Sequence, residues 1–514
     1  MTSTQTLARN ALTGAGRYAI GAVIALIVTP YALHQLGPAR FGVWALAGAV
    51  VAVIRLVDLG LNRALTYRIA LASGRGHTGD ARAAVATGRS LALGLGLGAV
   101  GVVALAHRLL IDHVFQIPAA FRAEAVYVVV GTAVVAAVEG VFAPFQAALD
   151  GVGRMDLSNA VDTAVQRVFS PLGVVAVLAL GWGLPGLVWK NLAAALVAGL
   201  GYAWLLRRAA PDLARAKVGW DKPEAAAMLA YGRHVQTVSL ASALIEPVAK
   251  TLLSRSAGLG AVALFELAAR VAGQMSGVFM AASTALFPAV ARRQVEAEDD
   301  GEAGAPAIGT LYRTAARYNA WLVLPAYAIF VALAGPFVHT WLGPGYGDLV
   351  DALRILGLGW AVALLGLPAF HVAQAGGHAR LSTIGGLVTG AVSMAAVVAL
   401  IGSRGLIGVI GGLALGLAAG GVVVLALFAR AIGLGRAAWG FAHPRVLLAA
   451  LAGAAAAGWL AGRLPDGWAS LGAAAMAGLA IYAAAMVASG EVGPADRERL
   501  RRLAGWSADR ARHR

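Results

Sequence analysis

The sequence has no cysteine and little charge for its length. Of its 514 residues only 13% are Asp, Glu, Lys or Arg, against about 25% in soluble proteins. Without cysteine the chain forms no disulfide and no thiolate metal site. A chain that is 59% hydrophobic also has too few polar residues to cover the water-exposed surface of a soluble domain. The composition therefore predicts that lipid covers most of the outside.

Motifs that bind nucleotides or carry out catalysis are missing as well. The sequence contains no P-loop, no H-E-x-x-H pair, no nucleophile elbow and no acidic metal-binding cluster. Its glycine-rich runs, LALGLGLGAVG and IGGLALGLAAGG, lie inside apolar stretches. They predict helix-packing faces of small residues rather than phosphate-binding loops. We expect no cofactor, no metal and no enzymatic activity.

Apolar stretches long enough to cross a bilayer recur along the whole chain. They are continuous, without the polar–apolar alternation of a barrel strand, so the predicted fold is all-α and polytopic. The predicted spans are 17–36, 41–62, 86–106, 123–149, 157–181, 184–206, 228–253, 260–290, 318–342, 350–373, 381–402, 405–429, 446–462 and 467–488. The fold class is thus a membrane protein of about fourteen helices.

The distribution of positive charge predicts the orientation. With a cytoplasmic N-terminus, the inside segments carry 28 of the 41 Lys and Arg residues and the outside segments carry 6. Cationic loops stay on the cytoplasmic side, so both termini are predicted inside, in the cytoplasmic (inner) membrane. This topology accounts for the net charge of +16 without a nucleic-acid partner. The arginine-rich tail, 489–514, is expected to contact lipid headgroups.

The chain shows signs of an internal repeat. Gly16-Arg17-Tyr18 is followed by Pro30, and Gly232-Arg233-His234 by Pro247, at offsets of 216 and 217 residues. The repeat predicts two parallel six-helix lobes. The predicted divisions are an N-lobe 1–206, a basic cytoplasmic linker 207–227, a C-lobe 228–429, a final helix pair 430–488 and a basic tail 489–514. Two such lobes that rock about a central cleft would give alternating access.

Charged residues inside the predicted spans are the candidate functional residues, because a charge at mid-bilayer is costly and faces protein or water. Three pairs share a helix face by their spacing of three or four residues, namely Arg55 and Asp58, Glu246 and Lys250, and Glu266 and Arg270. The candidate substrate-binding residues are Arg17, Arg55, Arg233, Lys250 and Arg270, and the candidate ion-pair or coupling residues are Asp58, Glu139, Glu246 and Glu266.

Two interpretations of these charges stay open. They could be internal ion pairs that hold helices in register, and Arg17 and Arg233 could reach the inner headgroups. Alternatively, several arginines in a cleft of low dielectric suit a phosphate or an anionic sugar, since the guanidinium binds phosphate bidentately. The excess of cations over acids in these spans favours an anionic ligand.

The segment Tyr31–Ala70 resembles the start of the polysaccharide-biosynthesis flippases, the O-antigen (Wzx-like) type of the MOP (multidrug/oligosaccharidyl-lipid/polysaccharide) exporter superfamily. The residues that carry the resemblance are Leu36-Gly37, Phe41-Gly42-Val43-Trp44 and Leu56-Val57-Asp58-Leu59-Gly60-Leu61. The resemblance implies a flippase that moves an undecaprenyl-pyrophosphate-linked oligosaccharide across the cytoplasmic membrane by alternating access. Its partners would be that lipid-linked substrate, membrane lipids and polysaccharide assembly proteins. The arginines of the cleft would bind the diphosphate.

Two alternatives to this function stay open. One is a cation-coupled multidrug (MATE-like) exporter, in which Glu139, Glu246 and Glu266 would carry the coupling. The other is a membrane-embedded glycan polymerase or ligase. Such enzymes present long polar loops outside the membrane, whereas the predicted outer loops here are short.

Overall fold

A computed structural model describes residues 4–58, 60–283, 304–375, 378–440, 443–493 and 496. It describes the side chains of these residues except for 4–20, 22, 57, 58, 231–242, 282, 304–308, 311, 379, 436 and 437. Nearly all of the described chain is helical, and none of it is β-strand. The all-α fold class predicted from the continuous apolar runs is confirmed.

Fifteen α-helices are numbered here in chain order within the described residues. The first nine are α1 (Thr4–Asp58), α2 (Leu61–Gly74), α3 (Thr78–Arg108), α4 (Arg122–Gly151), α5 (Met155–Ala164), α6 (Ser170–Ala179), α7 (Gly183–Ala209), α8 (Pro211–Ala214) and α9 (Lys222–Ser283). The last six are α10 (Gly304–Leu342), α11 (Gly347–Leu365), α12 (Leu367–Ala375), α13 (Ala379–Ala431), α14 (Pro444–Ala461) and α15 (Trp468–Ala488).

Eleven segments of the described chain are long and apolar enough to cross a membrane. Three of them contain a long helix with one residue of non-helical dihedral angles, namely Gly37 in α1, Gly258 in α9 and Gly405 in α13. Each of these glycines has positive φ, which favours a residue without a Cβ. If the helix divides at each glycine, the eleven segments comprise fourteen helices, in agreement with the predicted number.

The described chain divides into two compact units. One comprises residues 23–267 and 401–406, and the other comprises residues 1–22, 268–400 and 407–514. The predicted lobes, 1–206 and 228–429, stay a prediction.

In the unit of residues 23–267, the α2–α4 and α7 helices enclose a core that includes Leu65, Ile69, Leu149 and Leu206. The segment predicted as a linker, 207–227, is part of this core, because Leu213 within it is buried there. Its backbone is also bound to α3: the Arg89 guanidinium donates to the Ala216 carbonyl, and the Ser90 hydroxyl donates to the Gly219 carbonyl at 2.6 Å. The segment is therefore a docked part of the unit.

The other unit shows close helix packing at glycines. The two arms of α13 run side by side, with Gly412, Gly416 and Gly420 of the second arm against Val397, Ser393 and Thr389 of the first. A Cβ at any of these glycines would overlap those neighbours. This arrangement confirms the helix-packing role predicted for the run IGGLALGLAAGG. In the run LALGLGLGAVG, only Gly96 has a neighbour within 4 Å of the point where a Cβ would lie, and that neighbour is Ala137.

Helices α14 and α15 pack against each other in the same way. A Cβ on Gly453 would lie 2.6 Å from the Gly478 carbonyl oxygen, and a Cβ on Gly478 would lie 2.7 Å from the Gly453 carbonyl oxygen. The pair packs on α10 through Ile329 and Leu333. The final two helices thus form a closely packed part of this unit.

Candidate functional site

A polar cleft opens in the unit of residues 23–267, among helices α1, α2, α4, α5 and α7. It has a volume of about 450 Å³ and adjoins a second cavity of about 460 Å³. Both cavities are lined by Asn62, Arg63, Ala143 and Gln146. Together they extend from Arg55 and Glu139 to Tyr67 and Asp150, near the helix ends that the charge distribution predicts to be cytoplasmic.

Arg55 and Glu139 form an ion pair in this cleft. Nη2 of Arg55, on α1, lies 2.6 Å from Oε2 of Glu139, on α4. The Arg55 side chain is 63% exposed and that of Glu139 is 37% exposed, so the guanidinium keeps donor groups that face the cleft. Sequence spacing indicated Asp58 as the neighbour of Arg55. The Asp58 side chain lies outside the described residues, and the ionic partner within them is on another helix.

The other carboxylates of the cleft are also engaged by neighbours. Asp162 accepts hydrogen bonds from the Gln146 amide at 3.1 Å and from the Tyr202 hydroxyl. Asp150 accepts one from the Ser158 hydroxyl. Each carboxylate that lines the cleft therefore has a protein donor within hydrogen-bond distance.

Two cationic side chains near the cleft differ in how accessible they are to a ligand. Lys190 on α7 is buried, and its ammonium donates to the Ser170 hydroxyl at 2.9 Å. Arg63 on α2 is exposed and forms no hydrogen bond or ion pair with any described residue. Arg63 and Arg55 line the same cavity. Their guanidinium N–H groups are therefore charged donors that this cleft can offer a ligand.

A second charged cluster, in the same unit, is centred on Lys250 of α9. Its ammonium lies 2.6 Å from Oε1 of Glu246 and 2.6 Å from Oε2 of Glu266. The Lys250 side chain is 5% exposed, whereas Glu246 is 55% exposed. The predicted pair Glu246/Lys250 is present. Glu266, for which the spacing indicated Arg270, also contacts Lys250, so this ammonium has two carboxylate partners and little exposed surface.

The remaining candidate residues, Arg17, Arg233 and Arg270, are not shown to line either the cleft or the Lys250 cluster. Arg17 and Arg233 lie in α1 and α9, but their side chains lie outside the described residues. Arg270 is exposed and belongs to the other compact unit. Their roles stay predictions.

Sequence reasoning missed three residues of the cleft: Arg63, Gln146 and Tyr202. Arg63 falls just beyond the predicted span 41–62, but it lies in α2, after the break between α1 and α2. Gln146 and Tyr202 are neutral, so a search for intramembrane charges does not find them. Among the described residues no group of three His, Cys, Asp or Glu is arranged to hold a metal ion.

Two family models match the sequence. The model "Polysaccharide biosynthesis protein" matches residues 7–294, and the model "Lipid II flippase MurJ" matches residues 163–464. Each match covers more than half of the chain. Among curated proteins, none matches the chain by sequence.

Solved structures share the fold. A lipid II flippase MurJ in an inward closed conformation has a TM-score of 0.69 at 11% identity, over 92% of this chain and 98% of that chain. An inward-facing multidrug resistance MATE family transporter of the MOP superfamily has a TM-score of 0.58 at 19% identity, over 84% and 96%. A MATE transporter of Vibrio cholerae has a TM-score of 0.55 at 18% identity, over 85% and 100%.

The matches confirm the resemblance seen in Tyr31–Ala70 and extend it along most of the chain. They also agree with eleven membrane-crossing segments and a helical fold. The chain is therefore a multi-pass membrane protein that belongs to the polysaccharide biosynthesis and lipid II flippase families of the MOP superfamily.

Proposed function

We propose that this protein is a flippase that moves an undecaprenyl-pyrophosphate-linked oligosaccharide across the cytoplasmic membrane for cell-surface polysaccharide biosynthesis. The sugar–diphosphate head would enter the polar cleft while the lipid tail stays in the bilayer. The protein would move this substrate without altering it, by alternating access of two lobes. Energy would come from an ion gradient or the membrane potential.

The availability of guanidinium groups in the cleft supports this proposal. Arg63 has no partner among the described residues, and Arg55 is 63% exposed beside a single carboxylate. Each carboxylate that lines the cleft already has a protein donor. Diphosphate oxygens are acceptors that match the planar donor fork of arginine. The cleft therefore offers donors to an anion more readily than acceptors to a cation.

Accumulation of the substrate tests the proposed function. In a strain without the gene, undecaprenyl-linked oligosaccharide should build up on the inner leaflet, and surface polysaccharide should fall. The gene should restore both, and purified protein in liposomes should make a fluorescent lipid-linked oligosaccharide accessible from the opposite leaflet. Normal surface polysaccharide and no translocation in liposomes would contradict the proposal. Lipid II, the substrate named by one of the two family models, is tested in the same liposome assay to distinguish it from the proposed oligosaccharide substrate.

The alternative of a cation-coupled multidrug exporter has one observation in its favour, the fold that this chain shares with MATE transporters. The carboxylates assigned to coupling are engaged, however: Glu246 and Glu266 contact Lys250, and Glu139 contacts Arg55. Loss of drug resistance in the deletion strain, with unchanged surface polysaccharide, would support the exporter and overturn the flippase.

A further inference from the structure

A separate, smaller cleft lies at the end of the unit of residues 23–267 that is opposite the polar cleft. The positive-charge distribution predicts that this end is on the outer side of the membrane. Its volume is about 300 Å³, at the small end of the ~300–1,000 Å³ range of ligand pockets. Its floor is apolar and buried, and its rim carries an aromatic ring, an amide, a guanidinium and a carboxylate. The floor comprises Leu36, Leu178 and Leu184, and the rim comprises Gln35, Arg40, Glu124 and Trp182.

The backbone turn between α6 and α7 presents Trp182 to this cleft. Gly181 and Gly183, on either side, have φ of +74° and +54°, a conformation that favours glycine. The Trp182 amide donates to the Val177 carbonyl at 3.1 Å, which holds the turn. The Cβ of Trp182 packs where Gly186 has no side chain. The indole nevertheless stays 58% exposed, so an oriented aromatic face is open to a ligand.

Two polar groups of the rim, the Arg40 guanidinium and the Glu124 carboxylate, form a two-pronged ion pair. Arg40 donates to Glu124 through Nε and Nη2, each at 2.8 Å to one carboxylate oxygen. Both side chains stay partly exposed, at 48% and 31%, so further donors of Arg40 and lone pairs of Glu124 face outward. The Gln35 amide is exposed and forms no hydrogen bond with any described residue. The rim therefore combines both kinds of hydrogen-bonding group beside an exposed indole.

A sugar ring has matching chemistry, since one face carries C–H groups and its edge carries hydroxyls that both donate and accept. An aromatic ring packs against an apolar face, while planar arginine, carboxylate and amide groups bind pairs of hydroxyls. We propose that this cleft binds one sugar ring of the glycan on the outer side of the membrane. This inference rests on the proposed function, and it assigns Gln35, Arg40, Glu124 and Trp182 to glycan release rather than to diphosphate binding.

An exposed tryptophan near a helix end could instead be an interfacial anchor, because Trp is enriched at membrane surfaces. The chain offers a matched comparison. Trp189 on α7 is also 58% exposed but does not line the cleft. If Trp182 were only an anchor, replacing Trp182 and replacing Trp189 would have the same effect on sugar binding.

The test is saturation-transfer NMR on the full-length protein in lipid nanodiscs. The probes are the soluble methyl glycosides of glucose, galactose, N-acetylglucosamine and rhamnose. At least one should receive saturation, strongest at the C–H protons of one ring face. The transferred signal should fall about fivefold in Trp182→Ala, the loss expected for one aromatic contact, and should fall in Gln35→Ala. It should be unchanged in Trp189→Ala.

No transfer to any of the four glycosides, or an equal loss in Trp189→Ala, would overturn the inference. Trp182→Phe keeps an aromatic face and should keep most of the signal, so that a fold defect in Trp182→Ala is recognised. Failure of this inference can be distinguished from failure of the proposed function. Wild-type protein that translocates lipid-linked oligosaccharide but transfers no saturation overturns this inference alone, whereas failure of translocation in liposomes overturns the flippase assignment.

Discussion

The Arg55 guanidinium lies 2.6 Å from the Glu139 carboxylate on another helix, although the two residues are 84 positions apart in the sequence. Because both side chains are partly exposed, the pair should contribute no more than about 1 kcal/mol to stability. Arg55→Ala should therefore leave the thermal unfolding temperature of the purified protein nearly unchanged. Translocation in liposomes should fall at least tenfold, an estimate of about 1.4 kcal/mol for one charge-assisted hydrogen bond to the diphosphate.

The conservative variant Arg55→Lys should recover part of the activity, since an ammonium lacks the bidentate fork of a guanidinium. Arg404→Ala, at an exposed residue of α13 that does not line the cleft, is the matched control and should translocate normally. Full translocation by both Arg55→Ala and Arg63→Ala would rule out the diphosphate role proposed for these arginines.

The cluster around Lys250 should affect stability more than Arg55 does. Lys250→Met leaves the partly buried Glu266 without its ammonium partner, and breaking a buried ion pair costs about 3–5 kcal/mol. We expect a clear decrease in unfolding temperature, measured by fluorescence-detected size exclusion after heating. The double variant Lys250→Met/Glu266→Gln should recover much of the loss, because it also removes the carboxylate charge that Lys250 balances. Glu246→Gln should have little effect, because Glu246 is 55% exposed, and equal losses in all three variants would contradict this account.

The close approach of the two arms of α13 makes a prediction about glycine. A Cβ on Gly416 would lie 2.6 Å from the Thr389 carbonyl oxygen and would overlap the Ser393 hydroxyl. Gly416→Ala should therefore push the arms apart and lower both yield and unfolding temperature. Gly411→Ala is the matched control, since nothing lies within 4 Å of its Cβ position, and alanine there improves helix propensity by about 1 kcal/mol. Equal stability of the two variants would show that the arms do not pack this closely.

Asp496 attaches the beginning of the C-terminal tail to α10. It accepts hydrogen bonds from the Tyr318 hydroxyl at 2.6 Å and from the Arg317 guanidinium. Burial acts to raise the pKa of Asp496, but the hydrogen bond from Tyr318 and the charge of Arg317 outweigh it and hold the pKa below its ordinary value. A carboxyl group with a lowered folded-state pKa stabilises the fold at pH values above its unfolded pKa, about 3.9.

The stability that Asp496 contributes should therefore be constant near neutral pH and be lost only as the pH falls below about 4. The difference in unfolding temperature between wild type and Asp496→Asn should be the same at pH 7 and pH 5.5. Asp351→Asn is the control, because Asp351 is 61% exposed and 3.5 Å from its partner Arg354. A difference that already disappears between pH 7 and pH 5.5 would contradict the lowered pKa.

Much of the fold could be predicted from composition and the length of apolar runs. Fourteen apolar stretches were enough to predict an all-α membrane protein. Lipid cannot hydrogen-bond to backbone N–H and C=O groups, and a helix satisfies these groups within one continuous apolar segment. The glycines at which long helices turn, such as Gly37 and Gly258, lie between predicted spans. The family could also be predicted, from a segment of 40 residues, because its motif lies in consecutive positions.

The pairing of charges was the least predictable part of the site. Spacings of three or four residues identify neighbours on one helix, and they correctly indicated Glu246 beside Lys250. They cannot indicate Glu139 beside Arg55, or Glu266 beside Lys250, because those contacts depend on how separate helical segments pack. Arg63 was missed for a similar reason, since only the packed helices show that it lines a cleft.

By itself, then, the sequence determined that this chain lies in a membrane, that it is helical, and which apolar stretches form its helices. Those properties follow from local hydrophobicity and backbone chemistry. The tertiary structure decided which charges neutralise one another and which stay available, as with Lys250 between two carboxylates and Arg63 with no described partner. Such contacts join residues far apart in the chain, and only the packing of helices brings them within a few ångströms.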